Sequence, residues 1–379
     1  MASSPTPETV ALIGADSAAL SVGRALVARG RQVILIEADA WDAERSRAML
    51  EQAGLTISVL TAEDRLPAAG LALAGPAAGE REIAGMAARL GATALAVNGD
   101  DMRLDAVGRA LGDPSILIGL TFHMTTAAPS LAEIVPRPAG SEAALDAVRD
   151  LAVEAGLQSV ETGGIGTRLT LAMMAVADAL LLEGATPWEI DEAMVDFGFS
   201  IGPYELQDLV GMDVAHAARR RHGAASVADR AVEEGRLGKK AGVGWYRYPG
   251  GGGAVVDPLV EDLIREEAHF AGISPREISD EEVRDRLLSA LVNEGARLLE
   301  DGAARRAEDI DLIAVHGLGF PTVEGGPLAW ADSHGAAKVL RVLEGIAPPA
   351  PLLERLGATG GRFRDAAPSL PSAIATARG

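Results

Sequence analysis

The feature that most constrains this chain is a succession of short, unbroken apolar runs in its first third, each followed by helical spacing. Val10-Ala11-Leu12-Ile13 leads into Ala19, Val22, Leu26 and Val27, which share one face of a helix ended by Gly30. Val33-Ile34-Leu35-Ile36, Leu71-Ala72-Leu73-Ala74, Ala94-Leu95-Ala96-Val97 and Ile116-Leu117-Ile118-Gly119 continue the pattern through about residue 135. A strand that is apolar at every position must be covered on both faces, and strands that alternate with helices pair in parallel. The spacing therefore predicts a doubly wound parallel sheet. From about residue 163 the pattern changes to long helices, with a strongly apolar stretch over 168–184. The fold class read from this change is α/β followed by all-α.

The helical part contains a diverged repeat. Leu181-Leu182-Glu183-Gly184, Glu189-Ile190-Asp191, Gly198-Phe199 and Gly202-Pro203 recur in order as Leu299-Glu300-Asp301-Gly302, Glu308-Asp309-Ile310-Asp311, Gly319-Phe320 and Gly326-Pro327. Four ordered landmarks predict two copies of one helical unit that pack together. The predicted organisation is a tail (1–8), a sheet domain (9–162), a first helical domain (163–248), a linker containing the run Gly250-Gly251-Gly252-Gly253 (249–280), a second helical repeat (281–345) and a loosely ordered tail rich in Pro and Ala (346–379).

Composition excludes several functions. With 34 basic and 54 acidic residues the formal charge is −20, which repels nucleic acid and anionic membrane surfaces. The absence of cysteine removes disulfides, thiolate nucleophiles and zinc–thiolate sites, and no metal is expected. No targeting pattern opens the chain, and no apolar run is read as reaching the roughly 18 residues of a membrane span. The default expectation is a cytoplasmic enzyme. The apolar share is 48% with only 3% aromatic, so the core must be built mainly from Ala, Val, Leu and Ile.

The loop after the first strand, Gly14-Ala15-Asp16-Ser17-Ala18-Ala19, lines up with the dinucleotide fingerprint, which asks for glycine at its first, third and sixth positions. Gly14 supplies the tight turn and Ala19 is a tolerated replacement. Asp16 sets a side chain and a negative charge where a pyrophosphate would lie. Glu37 ends the second run, at the place of an acid that bonds the adenosine ribose. The loop is open to two readings: an NAD site that binds weakly, or a doubly wound domain that has lost its cofactor.

The stretch Gly198-Phe199-Ser200-Ile201-Gly202-Pro203-Tyr204-Glu205-Leu206-Gln207-Asp208-Leu209-Val210-Gly211-Met212-Asp213 resembles a signature of 3-hydroxyacyl-CoA dehydrogenases, and so does Gly238-Lys239-Lys240-Ala241-Gly242-Val243-Gly244-Trp245-Tyr246. Gly317-Leu318-Gly319-Phe320-Pro321 with Gly325-Gly326-Pro327-Leu328 resembles the second helical repeat of the long members, which include the dehydrogenase half of bifunctional β-oxidation proteins. The resemblance covers about residues 9–363. It implies a Rossmann-like domain, two helical repeats that pair within the chain, and NAD-dependent oxidation of a 3-hydroxyacyl-CoA to a 3-oxoacyl-CoA. An acyl-CoA is the implied ligand. Only about eight residues precede the first strand, so no hydratase module is expected.

The family reaction needs a histidine base, a carboxylate that orients it, and Ser and Asn groups that hold the substrate oxygen. Carried over without gaps, the carboxylate falls on Glu133, the histidine position on Thr121, the serine position on Asp100 and the asparagine position on Thr167. Three of the four positions differ from the family. His123 lies two residues from Thr121, on the same face of a strand and about 6–7 Å away, and is the other candidate base. Three functions follow: a dehydrogenase with an altered site, a non-catalytic homologue that binds an acyl-CoA or a partner protein, or a dehydrogenase of another 3-hydroxy acid.

Overall fold

Eight strands form one sheet: β1 (Thr9–Ile13), β2 (Gln32–Glu37), β3 (Ser58–Thr61), β4 (Leu71–Ala74), β5 (Ala94–Val97), β6 (Leu117–His123), β7 (Leu131–Val135) and β8 (Gln158–Glu161). Their spatial order is β3-β2-β1-β4-β5-β6-β7-β8. The first six strands in that order are parallel; β7 runs antiparallel to β6, and β8 runs parallel to β7. Between them lie α1 (Ser17–Ala28), α2 (Ala40–Gln52), α3 (Glu80–Leu90), α4 (Asp101–Ala110) and α5 (Glu142–Ala155). The computed structural model describes residues 9–366 apart from 15, 53, 77, 126, 127, 222, 224 and 225. The segment read as an N-terminal tail, 1–8, and residues 367–379 lie outside the described residues.

The unbroken apolar runs are explained by a core on each face of the sheet. Val10 and Leu12 of β1 pack with Val22 and Leu26 of α1 and Val148 of α5 on one side. Ala11 and Ile13 pack with Ile83 of α3 and Leu104 and Val107 of α4 on the other. Three strands, β3, β7 and β8, were not legible as apolar runs. The sixth strand runs through Thr121 to His123, as the placing of those two residues on one strand face expected, and its last residues pair antiparallel with β7.

Chain contacts divide the described residues into two compact units, one ending at Gly164 and the other starting at Ile165. The second contains α6 (Ile165–Glu183), α7 (Pro187–Phe197), α8 (Pro203–Val210), α9 (Met212–Arg221), α10 (Val227–Glu233), the hairpin strands β9 (Tyr246–Arg247) and β10 (Val255–Val256), α11 (Pro258–Phe270), α12 (Asp280–Glu300), α13 (Ala307–Leu318), α14 (Pro327–His334), α15 (Ala336–Leu343) and α16 (Pro351–Thr359). By length and composition α6 is apolar enough to cross a membrane, which corrects the reading that no run reaches that span. It packs along α12, burying Leu169, Met173, Ala177 and Leu180, and its Arg168 donates to Glu294 of α12 at 2.7 Å.

Two segments read as loose are ordered. The glycine run at 250–253 lies in the turn of the β9–β10 hairpin, and the rest of that linker contains α11. The stretch from residue 346 is not a tail throughout: Pro351 opens α16, where proline is pre-set for a first helical position, and Leu353 and Phe363 are buried.

The repeat landmarks have a common physical cause. Asp191 accepts from the backbone N–H groups of Tyr204 (2.8 Å) and Glu205 (2.9 Å), in the first turn of α8. Asp311 does the same for Leu328 (2.8 Å) and Ala329 (3.2 Å) of α14. The preceding glycines permit this approach: a Cβ on Gly202 would meet the Asp191 carboxyl carbon at 2.2 Å, and one on Gly326 would meet the Asp311 Cβ at 2.3 Å. Burial pushes both carboxyls up to about 7. The Gly-Phe landmarks meet each other: Ser200 N–H donates to Gly319 O at 2.8 Å, and the Phe199 and Phe320 ring centroids are 5.2 Å apart.

Candidate active site

The carboxyl ends of β1 and β2 and the start of α1 carry the residues read as a cofactor site. Gly14 makes the turn after β1 at φ +59°, where a side chain would be strained, and its N–H donates to Ile36 O at 2.9 Å. Asp16 is the N-cap of α1, and its Oδ1 accepts from Ala19 N–H at 2.8 Å. Burial raises the Asp16 carboxyl above its ordinary value, against hydrogen bonds from the backbone of Ala19 and Ala18 and from the Asn98 side chain. Ala19 is buried in the helix–sheet contact. Glu37 ends β2, buried, with its Oε1 accepting from Ser46 Oγ at 2.6 Å; burial pushes this carboxyl up as well.

The fit of these residues to a dinucleotide is partial. The position of Glu37 at the end of β2 suits the ribose of the adenosine end, and Gly14 makes the tight turn that opens the phosphate loop. The pyrophosphate end does not fit, because the helix N–H of Ala19 that would meet a phosphate already meets a carboxylate of the chain. A second anion there faces both the loss of this donor and like-charge repulsion.

The second group of residues sits where β6 meets β7. Thr121 is directly opposite Glu133 in the ladder, and His123 is opposite Leu131. The imidazole nonetheless reaches diagonally: His123 Nε2 lies 2.9 Å from Glu133 Oε2, and both residues are buried. The other carboxylate oxygen, Oε1, accepts from Thr162 Oγ1, just beyond β8. A buried carboxylate between two donors is held in one orientation, and it fixes which imidazole nitrogen carries the proton. When Glu133 is ionised, Nε2–H faces it and Nδ1 is the basic nitrogen.

The remaining sequence candidates fall elsewhere. Asp100 is the N-cap of α4, and its carboxylate accepts from Arg103 N–H at 2.9 Å. Thr167 lies in the first turn of α6, in the second unit. Sequence reading missed Thr162, Asn98 and Arg103. The Arg103 guanidinium is buried and donates to Asn98 O (2.8 Å), Gly75 O (3.0 Å) and Ala78 O (2.6 Å), tying together the loops after β4 and β5. Its signal was weak, since an arginine one turn into a helix reads as solvated. Thr162 follows a strand that was not recognised.

The helical unit is where comparison with known proteins decides the family. The profile of the 3-hydroxyacyl-CoA dehydrogenase C-terminal domain matches twice, over residues 163–248 and 283–366. The chain belongs to the 3-hydroxyacyl-CoA dehydrogenase family. Among curated relatives, a peroxisomal bifunctional enzyme of Danio rerio is 35% identical over 303 residues, 71% of this chain and 42% of the relative. A fatty acid oxidation complex subunit alpha of Vibrio cholerae is 28% identical over 286 residues, 70% of this chain and 39% of the relative. The chain thus spans about two fifths of the length of these relatives. Among solved structures, 3-hydroxybutyryl-CoA dehydrogenase from Escherichia coli aligns at a TM-score of 0.66 and 21% identity, covering 93% of this chain and 98% of that one. The dehydrogenase part of multifunctional enzyme 1 from C. elegans aligns at 0.59 and 22%, covering 92% and 89%. At these identities the structural likeness establishes the fold, a parallel-dominant sheet followed by a helical region.

Proposed function

We propose that this chain acts on a 3-hydroxyacyl-CoA or 3-oxoacyl-CoA as an altered dehydrogenase of its family, with His123 as the base, Glu133 as its orienting carboxylate, and a weakened grip on NAD. The observation that carries the reading is the buried 2.9 Å contact between His123 Nε2 and Glu133 Oε2. This pair supports the proton half of the family reaction. Nδ1 takes the proton from the substrate's C3 hydroxyl, and Glu133 stabilises the imidazolium that results. In the reverse direction the imidazolium returns the proton to the C3 oxygen. The groups that hold this oxygen in the family are replaced by Asp100 and Thr167, so turnover is expected to be slow.

Asp16 favours one competing reading, a non-catalytic homologue that binds acyl-CoA alone. Reduction of acetoacetyl-CoA by excess NADH separates the two. The proposal expects slow turnover with a high KM for NADH, abolished by His123→Ala. Turnover that survives His123→Ala removes the base assignment. No turnover in Asp16→Gly at saturating NADH leaves the non-catalytic reading. The two helical repeats are proposed to pair within the chain in place of the contact that shorter members make between subunits.

A further inference from the structure

We infer that Thr162 is a positioning residue for the acid–base pair, completing a Thr162–Glu133–His123 relay; the inference rests on His123 being the base.

The backbone brings Thr162 to this place. β8 runs parallel beside β7 with Glu133 opposite Val160 and Ile134 opposite Glu161. The next residue, Thr162, continues the ladder, its N–H donating to Ile134 O at 3.0 Å. Its side chain is thereby fixed against the Glu133 carboxylate, and the residue is only 2% exposed. The direction of its hydroxyl proton is set as well. Gly164 N–H donates to Thr162 Oγ1 at 3.2 Å, so the oxygen is occupied as an acceptor and its proton points to Glu133 Oε1. Donation therefore runs from Gly164 N–H to Thr162, from Thr162 O–H to Glu133 Oε1, and from His123 Nε2–H to Glu133 Oε2.

Two consequences follow. A buried carboxyl group needs hydrogen-bond partners on its oxygens, and Thr162 supplies one to Glu133 that does not depend on the imidazole. The same bond stops the carboxyl group from rotating, so Oε2 stays on Nε2 and Nδ1 is presented as the base. Thr162 touches neither substrate nor cofactor in this scheme. It acts through Glu133, so its loss should appear in the chemical step and in the state of the imidazole, and should leave substrate affinity unchanged.

The test uses the full chain labelled with 15N at histidine, the His123 ring resonances being assigned by their disappearance in His123→Ala. Thr162→Val keeps the shape and removes the donor. It should shift the His123 ring 15N resonances and lower kcat for acetoacetyl-CoA reduction roughly tenfold, the worth of one hydrogen bond to a charged group, with KM for acetoacetyl-CoA unchanged. Thr162→Ser should restore both readouts, and Thr162→Ala should show the same loss if the valine variant folds poorly. Native-like ring resonances and kcat in the valine and alanine variants would overturn the inference. If Thr162→Val moves the ring resonances but His123→Ala leaves turnover intact, the relay stands and the assignment of His123 as base fails.

Discussion

Replacing Asp16 with glycine should tighten NADH binding by at least tenfold. The Asp16 carboxylate caps α1 by accepting from Ala19 N–H. A phosphate brought to this helix N-terminus would lie within about 4 Å of it. At an effective dielectric of ~20, two unit charges at that separation repel by about 4 kcal/mol before salt and solvent screening. Screening and relaxation leave a fraction of this, and about 1.4 kcal/mol already corresponds to tenfold in affinity. The change costs little in helix stability, because glycine at an N-cap loses only a few tenths of a kcal/mol, on the order of a weak contact. Asp16→Asn separates charge from bulk: it keeps an oxygen for Ala19 N–H and removes the charge. Calorimetric or fluorescence titration with NADH should give affinities in the order Asp16→Gly, Asp16→Asn, native. Burial raises the Asp16 carboxyl, so protonation makes it neutral at a higher pH than a free aspartate. Native affinity should therefore increase as pH is lowered, while Asp16→Asn should show no such trend. Unchanged affinity in both variants would refute the claim that Asp16 stands in the pyrophosphate's place.

The helical unit gives further predictions. Asp191 and Asp311 hold their protons up to about 7 in the folded chain, whereas an unfolded aspartate releases its proton near ~4. Their contribution is full below ~4 and is lost as pH rises through about 7, so thermal stability should fall between pH 5 and pH 8; Asp311→Asn should flatten the slope, and a slope equal to native would contradict the burial argument. Phe320→Ala removes the ring that meets Phe199 between the repeats, and urea unfolding should report a loss of about 3–5 kcal/mol; a loss below about 1 kcal/mol would show that the repeats do not depend on this contact.

The sequence revealed the parts of the fold whose residues carry their own physical signature. β1, β2, β4 and β5 were legible because burial on both faces forces every residue to be apolar. The repeat was legible because Asp191 with Gly202-Pro203, and Asp311 with Gly326-Pro327, form the same helix-capping device twice. β7 and β8 were less visible: Glu133 interrupts the first, and Ser159 and Glu161 the second. Their absence from the reading hid Thr162 and left the partner of Glu133 undecided. An ungapped match identifies the residue opposite Glu133, which is Thr121. It cannot show that a longer side chain two residues on reaches across the ladder to the same carboxylate.

That choice between Thr121 and His123 is the centre of the account, and turnover in the Asp16→Gly background tests it most directly, since NADH binding no longer limits the assay there. With acetoacetyl-CoA and saturating NADH, His123→Ala should lower kcat by ~10²–10⁴-fold, the usual worth of a positioned acid–base group, and Thr121→Ala should leave it near the parent value. A kcat that falls with Thr121→Ala and survives His123→Ala would contradict the assignment of His123 and Glu133 as the acid–base pair.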